Sequence, residues 1–202
     1  DYEALSYFTE FWPSDNTDPI ERLFIQWGFS QVFPAKTMCA HVTTWNKNSS
    51  VKFRTDVAMM CKLGFDIKLA DMSKDDETYC RTAVQNYNRL KPVVLEGDMY
   101  RLVSPYGSNH TSTMYVGKDK DKAVVFAFDI HPRYAEKILP VRLQGLDADK
   151  MYRVKEINLM PGANSSLSGN GEVFSGEFLM NVGLNLFTAQ QLNSRVIEVV
   201  AE

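Results

Sequence analysis

The hydrophobic period of this 202-residue chain changes once, near Pro92, and that switch limits the folds open to it. Before it, apolar residues recur at helical spacing; from Gly97 onward they alternate as in strands. Ile20, Leu23, Phe24 and Trp27 fall at i, i+3, i+4 and i+7 and predict one buried helix face over 19–30. Asp18 is a good N-cap for it, with Pro19 at the first helical position and Glu21 completing a capping box. A second helix is expected over 52–63, burying Phe53, Val57 and Met60, with Gly64 as a left-handed residue at its end. A third opens at Ser73, with Asp75, Asp76 and Glu77 at its positive end. It buries Tyr79, Ala83, Tyr87 and Leu90 and is expected to stop before Pro92, over 74–90. Residues 31–34 and 37–43 read as short strands or loops between helices.

The second half predicts about seven short strands: 99–104, 113–116, 123–130, 141–143, 151–159, 172–174 and 195–200. The runs Gly117 to Lys122 and Gly145 to Lys150 are expected as solvated hairpin connections. Strands without intervening helices suggest an antiparallel sandwich. Three helices with short strands, by contrast, read as consecutive βα units, which need a larger parallel sheet. A complete (β/α)₈ barrel takes about 250 residues. The expected architecture is therefore α/β + β: the last βα units of a (β/α)₈ barrel over 1–95, then a C-terminal antiparallel β-sandwich domain over 96–202. A partial barrel leaves strand edges and apolar helix faces uncovered, so self-association, or pairing with the missing N-terminal part of the barrel, is expected.

Charge and composition remove several function classes. A net charge of −3 argues against a nucleic-acid partner. No apolar run approaches the roughly 20 residues of a membrane-spanning helix, so no membrane partner is expected. Three scattered cysteines (Cys39, Cys61 and Cys80) give neither a disulfide framework nor a zinc site and read as small hydrophobes. Walker, GxGxxG and HExxH motifs are absent from the sequence. His41, His110 and His131 lack ligand spacing, and no metal site is predicted; His41 reads as a structural histidine among apolar residues. Asn48, Asn109 and Asn164 head glycosylation-type triplets of a kind common by chance. The start, Asp1-Tyr2-Glu3, carries neither methionine nor signal peptide, as expected of a piece of a longer chain, and the compartment is not legible from it.

Chemistry concentrates in Phe11 to Leu23, where an aromatic residue leads into a polar loop with two carboxylates that feeds a capped helix. In a barrel this is the form of a strand end and its βα loop, where active sites sit. Capping accounts for Asp18. Asp15 has a solvated reading, an Asx-turn reading and a catalytic one, and Trp12 can either stack on a sugar ring or close the core.

The run Trp12-Pro-Ser-Asp-Asn-Thr-Asp-Pro-Ile-Glu-Arg-Leu23 resembles the acid/base loop of the family-36 glycoside hydrolases, the bacterial and fungal α-galactosidases. Segments 40–43, 53–58, 63–65, 97–105 and 174–184 resemble successive later parts of that family, in order along the whole chain. The resemblance implies hydrolysis of terminal α-galactosides by a retaining two-carboxylate mechanism, with α-galactoside oligosaccharides as substrates and no cofactor. It implies that Asp15 is the general acid/base; Asp18 is the alternative, and Trp12 is the candidate substrate-binding residue, although its residue-level reading favours the core. The family's nucleophile lies in a Lys-Trp-Asp type motif on an earlier strand, and no such motif occurs here. By that reading the chain carries the acid/base half only and is inactive alone. The alternatives are a structural or carbohydrate-binding β module, and an α-glycosidase acting on N-acetylgalactosaminides. Aromatics of the β half alternate as core residues do, which ranks glycan binding lower.

Overall fold

Asp18 opens the first helix as its spacing predicts. In the computed structural model, which describes residues 2–45 and 48–202, its carboxylate accepts from the backbone N–H groups of Ile20 (3.0 Å) and Glu21 (3.1 Å). Two of the donors that a helix start leaves unpaired are thereby satisfied. Helix α1 (Pro19–Phe29) buries Leu23, but Ile20, Phe24 and Trp27 remain half-buried. The face turned inward includes Arg22 and Gln26 instead. Both are admitted because backbone carbonyls receive their donors: Gln26 donates to Val57 (3.0 Å) and Arg22 to Cys39 (2.8 Å).

Strands β1 (Cys39–Thr43) and β2 (Lys62–Asp66) pair in parallel, with Cys39 opposite Lys62 and Thr43 opposite Asp66. Helix α2 (Val51–Ala58) connects them, capped by the Ser50 hydroxyl, which accepts from the N–H of Phe53. It is shorter than the expected 52–63. The chain leaves the helix through the buried residues Met59, Met60 and Cys61 and enters β2, a strand that sequence spacing had merged with the helix. Gly64 is accordingly not a helix cap but a strand residue opposite His41. A Cβ there would stand 2.3 Å from the His41 ring, so glycine is required for close approach.

Helix α3 (Lys74–Glu96) starts on Ser73, as expected, but runs through Pro92 rather than stopping before it. Val93 and Val94, just beyond the proline, are buried, and their packing outweighs the lost backbone hydrogen bond. Only Gly97 separates this helix from the first strand of the second half.

That half forms one six-stranded antiparallel sheet: β3 (Asp98–Val103), β4 (His110–Val116), β5 (Lys122–Asp129), β6 (Met151–Ile157), β7 (Val173–Ser175) and β8 (Asn193–Ala201), in the order β3-β4-β5-β8-β6-β7. β4 is buried at every residue and β5 at all but its first, so both faces of the sheet are covered. Tyr115, Val124, Phe126, Phe128 and Val196 pack with α2, α3 and the first-half core. Val125, Ala127, Tyr152, Val154, Ile197 and Val199 pack on the other face against Leu143, Leu146, Leu167, Leu179, Leu184 and Leu186.

The second layer of the expected sandwich is therefore not a second sheet among the described residues. It consists of irregular segments and the one-and-a-half-turn helix α4 (Gly176–Asn181). The strand expected at 141–143 is reduced to a single bridge between Val141 and Leu184. No described helix is long and apolar enough to cross a membrane.

Candidate active site

Three parallel segments end side by side in the first half. Phe11 bridges Met38, through its N–H to the Thr37 carbonyl (2.8 Å) and its carbonyl to the Cys39 N–H (3.0 Å); β1 follows, then β2. The loop from Trp12 to Asp18 leaves the carboxyl end of this group, the edge on which α/β folds assemble their sites. Its path is set by short-range bonds. The Ser14 hydroxyl accepts from the Asn16 N–H (3.1 Å), and the Asn16 side chain accepts from the Asp18 N–H (3.0 Å). The Thr17 hydroxyl meets that of Thr43 at 2.9 Å, tying the loop to the end of β1, whose Thr43 carbonyl also accepts from Arg54 (2.7 Å).

Asp15 stands exposed in this loop, and its Oδ1 accepts the indole N–H of Trp12 at 3.0 Å. Asp18, three residues on, is engaged by the helix start. Trp12 is 36% exposed; its ring lies 4.5 Å from the His41 ring, and the Arg22 guanidinium carbon stands 5.4 Å from its centroid. The ring is thus neither core nor a free platform: one part is braced from within and another faces outward. Burial lowers the pKa of His41, a shift that Arg22 strengthens and Asp66 at the end of β2 opposes.

Arg22 is the member of this group that sequence reasoning missed, and His41, read there as a structural histidine, stands against the Trp12 ring. Arg22 left a signal, a charge beside Leu23 on the inner side of a capped helix, whereas the place of His41 was visible only through its pairing with Gly64. The cysteines are free, and burial pushes the Cys61 thiol up to about 12. Among the described residues no three His, Cys, Asp or Glu side chains gather as a metal site. Of the glycosylation-type triplets, Asn109 is tied to Glu136 (3.1 Å), while Asn48 and Asn164 are exposed.

Comparison with known proteins adds lineage to this geometry. Residues 1–97 match the melibiase family model, and residues 110–199 match that of the glycosyl hydrolase family 36 C-terminal domain. Alpha-galactosidase 2 of Hypocrea jecorina is 34% identical over 200 residues, covering 96% of this chain and 25% of that protein. Alpha-galactosidase AgaA of Geobacillus stearothermophilus is 30% identical over 82% of this chain and 23% of that protein. The crystal structure of the family-36 α-galactosidase AgaB from the same organism superposes with a TM-score of 0.88 at 28% identity, covering all of this chain and 27% of the other. Doubly substituted variants of AgaA have been crystallised with raffinose and with stachyose, at TM-scores of 0.87 and 0.85 to this chain. The chain spans about a quarter of the length of the curated relatives it matches. Two adjoining family models and likeness along the whole chain agree, and the chain belongs to the family-36 glycoside hydrolases.

Proposed function

We propose that these residues serve a retaining α-galactosidase, supplying its acid/base carboxylate and its closing β domain. Phe11, β1 and β2, with α1, α2 and α3, are read as the last βα units of a (β/α)₈ barrel, with the domain boundary at 95/96. The substrates are terminal α-galactosides, of the class of the raffinose and stachyose bound by the AgaA structures. The observation that carries the reading is the contrast between two neighbouring aspartates. Asp18 is engaged by the helix N-terminus, whereas Asp15 is exposed at the carboxyl edge and held through one oxygen.

In this mechanism Asp15 gives its proton to the glycosidic oxygen as the bond to the galactosyl anomeric carbon breaks. A nucleophilic carboxylate from outside these residues, about 5–5.5 Å from Asp15, bonds to that carbon from the opposite face. Asp15, now ionised, takes a proton from a water whose oxygen displaces the nucleophile, and configuration is retained. The exposed part of Trp12 can meet the sugar's apolar face.

The test uses the complete enzyme that carries these residues. Asp15→Ala should lower turnover of raffinose by about 10²–10⁴-fold, the usual worth of general acid–base catalysis. An aryl galactoside with an activated leaving group should suffer less, and azide should partly restore its turnover. The purified 202-residue chain should show no hydrolysis of either substrate. Robust turnover by that chain, abolished by Asp15→Asn, would overturn the division of the two carboxylates. Leaving-group dependence and azide rescue in Asp18→Ala instead would move the acid/base to Asp18.

A further inference from the structure

We propose that Arg22 is a positioning residue for the Asp15 carboxylate, acting through Trp12 and the backbone of Ser14; this rests on the reading of Asp15 as acid/base. The guanidinium is buried, and each of its three nitrogens donates a hydrogen bond. It donates from Nη1 to the Ser14 carbonyl (3.2 Å), from Nη2 to the Cys39 carbonyl (2.8 Å) and from Nε to the Gln26 side chain (3.4 Å). Among the described residues no carboxylate pairs with it. A buried cation without a counter-charge is expensive, and burial lowers its pKa accordingly. Packing alone would be served more cheaply by a neutral side chain.

What the charge and the fork achieve together is local to the loop. Arg22 holds both neighbours of Pro13: Trp12 by its ring, 5.4 Å from the guanidinium carbon, and Ser14 by its carbonyl. The same group reaches β1 at Cys39, so the loop is fixed to helix and strand at one point. Trp12 passes that constraint to Asp15 through its indole N–H. Because Oδ1 accepts that N–H, the carboxyl proton is left to Oδ2, and one oxygen is selected for transfer to the leaving group. His41 closes the other contact of the indole ring, resting over Gly64, where no larger residue fits.

Lysine offers a point charge, not a fork that spans two carbonyls. In the complete enzyme, Arg22→Lys should lower kcat on raffinose by about tenfold to a hundredfold, the range that follows a misplacement near 1 Å. Turnover of an activated aryl galactoside should change little, and KM should hold for both. In an Asp15→Ala background the same substitution should add almost nothing, since both changes remove one function. Trp12→Phe keeps a ring but removes the N–H, and should lower kcat on raffinose by more than kcat on the aryl galactoside even if Arg22→Lys folds poorly.

Equal losses on both substrates, or full additivity with Asp15→Ala, would reduce Arg22 to a structural part and overturn the proposal. Should Asp15→Ala show the leaving-group dependence while Arg22→Lys and Trp12→Phe do not, this inference alone falls. Should Asp15→Ala lack it, the acid/base reading falls as well.

Discussion

Asp18 and Asp15 have the same side chain and differ in what reaches them. Two backbone N–H groups converge on one oxygen of Asp18, so its work is electrostatic and local to α1. Asp18→Ala should therefore cost about 1 kcal/mol of folding stability. Denaturant unfolding of the variant measures it, and an unchanged midpoint would show that the cap contributes nothing here. Capping was legible in the sequence because it depends on residues within one turn. Arg22 was not, because its partners are the carbonyls of Ser14 and Cys39, which only the folded chain brings together. His41 needed more still, since its place depends on Gly64 in a neighbouring strand 23 positions away in register. Spacing reveals what a residue does to its own helix, not what lies across from it.

Among the described elements, β2 is a parallel strand with an open edge. One side of it pairs with β1, and none of the described strands pairs with the other. Beside that open edge Phe65, Ile67, Leu69, Met72, Cys80 and Val84 line a groove of about 650 Å³, with Leu69 73% exposed. An unpaired parallel strand edge next to apolar surface invites pairing with another chain. The isolated chain should self-associate through it, and Lys or Glu at Phe65 and Leu69 should suppress the association. Sedimentation at rising concentration tests this; a monodisperse monomer at the highest concentration would remove the expectation. The strand itself escaped sequence reading because Met59 to Leu63 continue the apolar spacing of α2, so burial in two different elements produced one unbroken pattern. Pro92 misled in the opposite direction: a local breaker was overridden by the burial of Val93 and Val94 against the sheet. The strands of the sheet were legible nearly to their ends, but their second cover was not. Leu143, Leu167 and Leu184 sit in segments with too little periodicity to announce that they close a face.

At the scale of the whole molecule the two halves meet over a buried carboxylate. Asp56 on α2 is fully buried, and accepts from Lys52 (2.5 Å), from Tyr79 on α3 (2.8 Å) and from Ser194 on β8 (2.7 Å). Asn158, beyond the end of β6, also donates to it from a left-handed backbone with φ of 61°. Four donors from both halves make one carboxylate the seam between α/β part and sheet. Asp56→Ala should cost about 3–5 kcal/mol, because it leaves the Lys52 ammonium without its counter-charge. The seam also sets an alkaline limit. Burial, reinforced by Asp56, raises the Tyr79 pKa well above its ordinary value, and burial does the same to Tyr115. Their contribution to stability is complete below the unfolded phenol's pKa, about 10, and is lost as pH rises from there toward the folded value. In that window the unfolded chain releases protons that the folded chain retains, so each tyrosine tilts stability downward with a slope that steepens toward about 1.4 kcal/mol per pH unit. Urea midpoints measured between pH 9 and 11 should fall, and Tyr79→Phe should make the fall shallower by one such contribution. A slope unchanged in Tyr79→Phe would mean that the phenol ionises as readily in the folded protein as in the unfolded chain, and that Asp56 does not hold it across the seam.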